Sequence, residues 1–271
     1  ASTFVYESSA PVSAIESPAD KAMLSTLASI TGTMADEPTL SEPNRVAAGI
    51  NKTQVNIKIS SDLACYNGID SWVGCPLWTA ASTSTLGGPT TWNSSGTWIR
   101  NAGLPAWDHG MTYWIMVRSS DIAGNTETLF ANPIDSRTIT FDLSGSTIAV
   151  ANWISTNANG PYYLNPTITS INGTSLDSPA DISTMTIAIS SNSNGSGASW
   201  YNGTSFANLF DINNTYFSTT TFTEGGTQDN WGFNRPSLEH NKNYLLRVRA
   251  RDRATPFNER IQDFSFTYDN V

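Results

Sequence analysis

The sequence predicts an all-β protein made of two β-sandwich domains in series. Three observations carry that expectation: the chain repeats itself over most of its length, its apolar residues alternate at period two, and its composition favours strands and turns. Charged residues make up only 14% of the 271, well below the usual quarter. Ser, Thr, Asn and Gly take their place; Ser, Thr and Asn compete with helical backbone bonding, and the mix suits polar strand faces and tight turns. Nine Trp, nine Tyr and eleven Phe supply enough large apolar surface for packed cores, which argues against disorder.

The repeat consists of blocks in one order. LASITGTMAD (Leu27 to Asp36) pairs with ITSINGTSLD (Ile168 to Asp177), and VNIKIS (Val55 to Ser60) with MTIAIS (Met185 to Ser190). SWVGCPLW from Ser71 pairs with SWYNGTSF from Ser199, aligning Trp72 with Trp200 and Trp78 with Phe206. WDHGMTY, ending at Tyr113, pairs with LEHNKNY, ending at Tyr244, which sets His109 opposite His240 and Trp107 opposite Leu238. YWIMVRSSDIA (Tyr113 to Ala123) then matches YLLRVRARDRA (Tyr244 to Ala254) without a gap.

Taken in chain order, FVYE (Phe4 to Glu7), ITFD (Ile139 to Asp142) and FTYD (Phe266 to Asp269) read as one joint strand seen three times. The last two close a domain, so the first is expected to close a preceding or neighbouring one. Asp20 to Ala28 is the one stretch where a short helical turn is expected. VNIKIS, MTIAIS, TYWIMVRS and NYLLRVRA alternate apolar and polar, the pattern of half-buried strands. Asn67-Gly68, Gly87-Gly88-Pro89, Asn194-Gly195, Asn202-Gly203 and Gly225-Gly226 punctuate the chain into short strands. The expected organisation is residues 1–7 as a joint strand of a preceding or neighbouring module, 8–142 as the first domain and 143–271 as the second.

In each repeat an apolar residue (Trp107, Leu238) precedes by six positions a Tyr (Tyr113, Tyr244) that opens an alternating strand. This resembles the tyrosine corner of immunoglobulin and fibronectin type III sandwiches. The Y-x-[IL]-x-V-R-[SA]-x-D-x-A string, the ITGT/INGT turn and the joint strand resemble the bacterial immunoglobulin-like and fibronectin type III-like tandem modules of large extracellular surface or filament proteins. The resemblance implies two tandem immunoglobulin-like β-sandwich domains. The second copy departs from it where Arg253 to Asn258 replaces the Gly124-Asn125 turn, which puts a ligand geometry there in doubt.

A net charge of −9 and a pI near 4.6 exclude a nucleic-acid binder, which needs a basic stripe. Arg247, Arg249, Arg251 and Arg253 alternate along one strand and its exit and read as a solvated face. No apolar run is long enough to insert into a membrane, and no basic segment followed by an apolar one marks a signal peptide, which is expected upstream or already removed. Cys65 and Cys75 are placed to close a small disulfide outside the cell, and without a nearby His they make no zinc site.

No catalytic residue is expected. His109 and His240 recur at matching places, which marks a turn position rather than a unique base, and no nucleophile elbow, zinc-protease or phosphate-loop string is present. Asp36-Glu37 is a loop pair with no partner at a fixed separation. No cofactor is expected; calcium is the one ion the residues suit, through Asp121, Asn125 and Glu127 on a turn, with Asp142 approaching from the next domain. Trp72, Trp78, Trp92, Trp98 and Trp107, with Trp200, Tyr201, Phe206 and Trp231, could serve as sugar-stacking platforms, but those that align between copies read as core; unaligned Trp92 is the best exposed candidate. Six Asn-x-Ser/Thr sequons occur, at Asn51, Asn93, Asn172, Asn194, Asn202 and Asn213.

The expected function is that of an extracellular or cell-surface structural protein, a filament or stalk of tandem modules. Its partners are then copies of itself joined head to tail by strand addition, or neighbouring modules of a longer chain. A carbohydrate-binding adhesin module, with surface glycans as partners, is the alternative.

Overall fold

The computed structural model describes residues 7–36, 47–62, 64–84, 95–151, 154–155, 162–197, 199–211, 217–218, 221–223 and 228–269. Among the described residues there is no helix. The chain divides into two compact units, Ala1–Leu143 and Ser144–Val271.

The first unit contains β1 (Val12–Ser17), β2 (Ala22–Leu24), β3 (Ile30–Ala35), β4 (Ile50–Ile59), β5 (Ala64–Tyr66), β6 (Trp72–Gly74), β7 (Thr79–Ala80), β8 (Ser82–Ser84), β9 (Ser95–Arg100), β10 (Thr112–Asp121) and β11 (Ser136–Phe141). They form two sheets, β1-β3-β9-β8 and β2-β11-β10-β4-β5-β6, with β7 also on β4. The second unit contains β12 (Thr147–Val150), β13 (Ile154–Ser155), β14 (Tyr162–Leu164), β15 (Ser170–Leu176), β16 (Ile182–Ser190), β17 (Trp200–Tyr201), β18 (Phe206–Asn208), β19 (Phe217–Ser218), β20 (Thr221–Thr223), β21 (Asp229–Asn234), β22 (Lys242–Asp252) and β23 (Glu259–Tyr268). Its sheets are β12-β15-β21-β20 and β13-β14-β23-β22-β16-β17-β18, with β19 also on β16. Each unit is thus an immunoglobulin-like sandwich of two mainly antiparallel sheets.

Period-two alternation makes these strands half-buried. On β10, Tyr113, Ile115 and Val117 face inward while Trp114, Met116 and Arg118 do not; on β22, Tyr244, Leu246, Val248 and Ala250 are buried. With Val55 and Ile57 of β4, or Met185, Ile187 and Ile189 of β16, they build one core per unit. Across each core lies a buried Trp, Trp98 or Trp231, whose ring packs on the glycine of the ITGT or INGT strand. A Cβ at Gly32 would collide with the Trp98 ring and the Ala14 carbonyl; one at Gly173 would meet Trp231 and the Ala149 carbonyl in the same way. Glycine is needed there for close approach.

Two expectations need correction. Asp20 to Ala28 is not helical: Ala22–Leu24 is strand β2, running parallel to β11. The Asp20 carboxylate accepts the Thr138 amide at 2.8 Å and the Lys21 amide donates to the Thr138 carbonyl at 2.7 Å, so this backbone is committed to the sheet. The alignment of Trp72 with Trp200 is also displaced by one strand. Trp72 on β6 stacks on Tyr113 at 5.7 Å and meets Tyr66 at 5.3 Å; in the second unit Phe206 on β18 meets Tyr244 at 5.6 Å and Tyr201 at 5.4 Å. Phe206 therefore fills the place of Trp72. Trp200 instead pairs with β16 where Cys65 pairs with β4, in a satellite cluster with Ala188 and Leu245. The loop before the strand differs in length between the units, which shifts the aromatic by one strand. Cys65 is bonded to Cys75, closing the β5–β6 hairpin.

Candidate metal centre

The end of each unit that carries its tyrosine shows what the histidines do. The Tyr113 hydroxyl accepts the Asp108 amide at 3.0 Å and the Tyr244 hydroxyl accepts the Glu239 amide at 2.8 Å. Burial pushes both phenols above their ordinary 10.0, so both stay neutral. Trp107 stacks on Phe141 at 4.5 Å and meets Tyr113 edge-on at 4.9 Å; Leu238 packs against the second core. His109 Nδ1 lies 3.3 Å from Asp142 Oδ1, and His240 Nδ1 lies 3.5 Å from Asp269 Oδ1. Each His precedes a left-handed residue, Gly110 (φ 76) or Asn241 (φ 58), whose amide bonds the end of the last strand. Gly and Asn are the residues that tolerate this conformation. The histidines are matched turn residues, each beside the acid of its joint strand.

The other end of β10 brings acidic groups together. Glu7 lies before β1, Asp36 directly follows β3, and Asp121 ends β10. One carboxylate oxygen from each lies within 4.8 Å of the other two. Asp36 and Asp121 are buried and Glu7 is half-buried. The Asp121–Asn125 turn holds part of this group in place. The Asn125 amide donates to Asp121 Oδ1 at 2.7 Å, and Asn125 Nδ2 donates both to Asp121 Oδ2 at 2.7 Å and to Glu7 Oε2 at 2.8 Å. Glu7 Oε1 accepts from the amide and hydroxyl of Ser9 at 2.5 and 2.6 Å.

Asp36 is the strained member. Its Oδ2 accepts the Gly49 amide at 2.7 Å, while Oδ1 is buried with no hydrogen-bond partner. Burial raises its pKa to about 6, and the charges of Glu7 and Asp121 add to the rise against the pull of the Gly49 and Ala48 amides. Three carboxylates at this spacing repel one another unless a proton or a cation is shared among them.

The expected calcium ligands are only partly brought together. Asp121 and Asn125 belong to the cluster. Glu127 is used elsewhere: its Oε1 accepts the Ser13 amide at 3.1 Å, and burial raises its pKa. Asp142 does not approach Asp121; it follows β11 beside His109, and its amide donates to the Leu24 carbonyl at 2.8 Å. Glu7 and Asp36 are the members of this carboxylate group that the sequence did not single out. The signal was available, because Glu7 ends the first FxYD-like joint and Asp36 aligns with Asp177.

In the second unit Asp252 ends β22 and Asp177 follows β15. Asn258 holds Asp252 as Asn125 holds Asp121, with its amide on Oδ1 at 2.8 Å and Nδ2 on Oδ2 at 2.7 Å. The longer loop from Arg253 does not abolish the geometry.

Aromatic residues divide between core and surface. Trp98, Trp200 and Trp231 are buried and offer no platform. Trp114 is 42% exposed, and half-buried Trp78 stacks on Phe130 at 5.4 Å beneath the Arg118 guanidinium at 4.2 Å. Trp92, Asn93, Asn213 and Glu37 lie outside the described residues; Asn51, Asn172, Asn194 and Asn202 are exposed. Of the β22 arginines, Arg247 and Arg251 face acids on β23, Arg247 bonding Asp263 at 2.6 and 2.7 Å and Arg251 bonding Glu259 at 2.7 Å. Arg249 bonds Thr186 at 3.0 Å.

No protein-family model matches this chain, and no curated protein matches it. Among solved structures, it is similar to the I67–I69 I-band fragment of titin at 9% identity and a TM-score of 0.40, covering 97% of this chain and 66% of the fragment. A marsupial T cell receptor is similar at 10% identity and a TM-score of 0.37, covering 93% of this chain and 71% of the receptor. The sialic acid binding region of a Streptococcus sanguinis SK1 adhesin is similar at 11% and 0.29, covering 98% and 79%. The chain therefore spans just under two thirds of the titin fragment. These likenesses are too remote to carry an argument of their own. The immunoglobulin-like class of the two units rests on their strand order and tyrosine corners.

Proposed function

We propose that this chain is an extracellular, non-enzymatic structural protein whose two units are copies of one immunoglobulin-like module, serving in a filament or cell-surface stalk. The observation that carries this reading is the matched tyrosine corner, repeated on two separate cores. A histidine, an acid and a left-handed turn residue recur beside each tyrosine, so neither copy reserves a unique constellation for turnover. The Cys65–Cys75 bond supports an oxidising compartment.

Filament growth by strand addition would use the joint strand at Phe4 to Glu7, of which Phe4 to Tyr6 lie outside the described residues. Electron microscopy of the purified chain, with and without residues 1–6, tests it. Deletion should abolish fibres while leaving Glu7 and both cores intact; fibres forming normally without residues 1–6 would reject strand addition. Carbohydrate adhesion is the second reading, and the Trp78–Phe130–Arg118 group is the surface that favours it. Glycan-array binding lost on Trp78→Ala would support that reading over a purely mechanical one.

A further inference from the structure

We propose that Glu7, Asp36 and Asp121 bind a hard divalent cation of the calcium type, tying the segment before β1 to the ends of β3 and β10. The geometry fits. Calcium holds oxygens at about 2.4 Å, so ligands on opposite sides of the ion stand about 4.8 Å apart and adjacent ones about 3.4 Å. The three carboxylate oxygens here lie within 4.8 Å of one another.

The second, independent observation is Asp36 Oδ1. Asp36 is fully buried, with 0% of its surface exposed, and this oxygen has no hydrogen-bond partner. A buried acceptor left unsatisfied is costly, and native proteins seldom leave one without a missing water or ion. The charged groups that act on Asp36, Glu7 and Asp121, are themselves acids, so a cation is the ligand that balances all three. The group contains no His or Cys, which selects hard oxygen-seeking ions over zinc or copper. Asn125 bonds both Asp121 and Glu7 through one side-chain amide, so two of the three ligands are already held in position.

Ordering the segment that carries Glu7 is the structural effect, since Glu7 lies outside every strand. The site stands whether or not the modules build a filament. Its test is calorimetric titration of calcium chloride into the chelator-treated full chain, for wild type, Asp36→Asn and Glu7→Gln. Because Asp177 and Asp252 repeat two of these positions in the second unit, the readout is the difference between variant and wild type, not the total number of ions. Wild type should bind with a dissociation constant on the order of 10⁻⁴–10⁻³ M, the range of extracellular modules.

Asp36→Asn should lose one equivalent, and Glu7→Gln should weaken one equivalent by at least about tenfold. Near-ultraviolet circular dichroism checks the fold. Should Asp36→Asn not fold, Glu7→Gln decides, because that residue belongs to no strand. Silence of the wild-type chain at millimolar calcium overturns the proposal, as does an unchanged titration in a folded Asp36→Asn or Glu7→Gln chain.

Discussion

The turn after β10 and the turn after β22 do the same work with different lengths of chain. In the first unit, Asp121 reaches Asn125 in a tight turn through left-handed Gly124 (φ 98); in the second, Asp252 reaches Asn258 through Arg253, Ala254, Thr255, Pro256 and Phe257. Both turns close with the Asp amide donating to the Asn carbonyl, at 3.0 Å and 3.2 Å, and both end with the Asn side-chain amide on the Asp carboxylate. What is held constant is the placement of a carboxylate at the end of a core strand. Loop length is free to vary as long as the last residue returns an Asn to that place.

The independence of the two units is tested most strongly at the buried tryptophans. Trp98→Ala and Trp231→Ala should each destabilise their own unit by about 3–5 kcal/mol. Hydrogen exchange followed by mass spectrometry should show protection falling in peptides of the altered unit while the other unit keeps its own. Equal loss in both units from one substitution would show that the cores do not fold separately.

The tyrosine corners should respond less. Tyr113→Phe and Tyr244→Phe each strand one amide, Asp108 or Glu239, and each should cost about 1–2 kcal/mol in denaturant melts. Because bond lengths and burial match, the two costs should agree to within about 0.5 kcal/mol. A large inequality would mean that the corners pin different crossings.

The smallest effect is a pH dependence in the first unit. Burial holds the Glu127 carboxyl above its ordinary 4.5, so the folded state keeps this proton to higher pH than the unfolded state does. The folded state therefore binds more protons in that window, and stability falls as pH rises from 4.5 through the folded pKa. Asp20, with its pKa lowered chiefly by the Thr138 amide, acts in the opposite sense, and its contribution is lost only as pH falls below its ordinary 3.8. Glu127→Gln should reduce the slope above 4.5 without removing it in thermal melts taken across that range, because burial also raises Asp36, to about 6, and Asp135 in the same unit.

Most of the fold was legible because period-two alternation and the Tyr-x-[IL]-x-Val-Arg string report burial directly. Tyr113 and Tyr244 announced their corners by residue type and position alone. The glycine–tryptophan stack was half visible: ITGT and INGT were paired, but Trp98 and Trp231 were not, because the strands around them share little besides the ring. Trp72 has no legible partner in the second repeat, since the aromatic that touches the corner tyrosine sits on β6 in one unit and β18 in the other, at different distances from the preceding strand. The acid cluster was only partly legible. Asp121 and Asn125 are neighbours in sequence, whereas Glu7 and Asp36 meet them only through the sandwich, which folds three distant segments to one end.

Strand β2 lies beside β11 and runs in the same direction, with Ala22, Met23 and Leu24 opposite Ile139, Thr140 and Phe141; Tyr162, Tyr163 and Leu164 lie likewise opposite Phe266, Thr267 and Tyr268. Tension drawing the two chain ends of a unit apart would slide these neighbours past each other along their length. Their hydrogen bonds would then be strained together and break at once, whereas an antiparallel pair pulled from its open end peels one bond at a time.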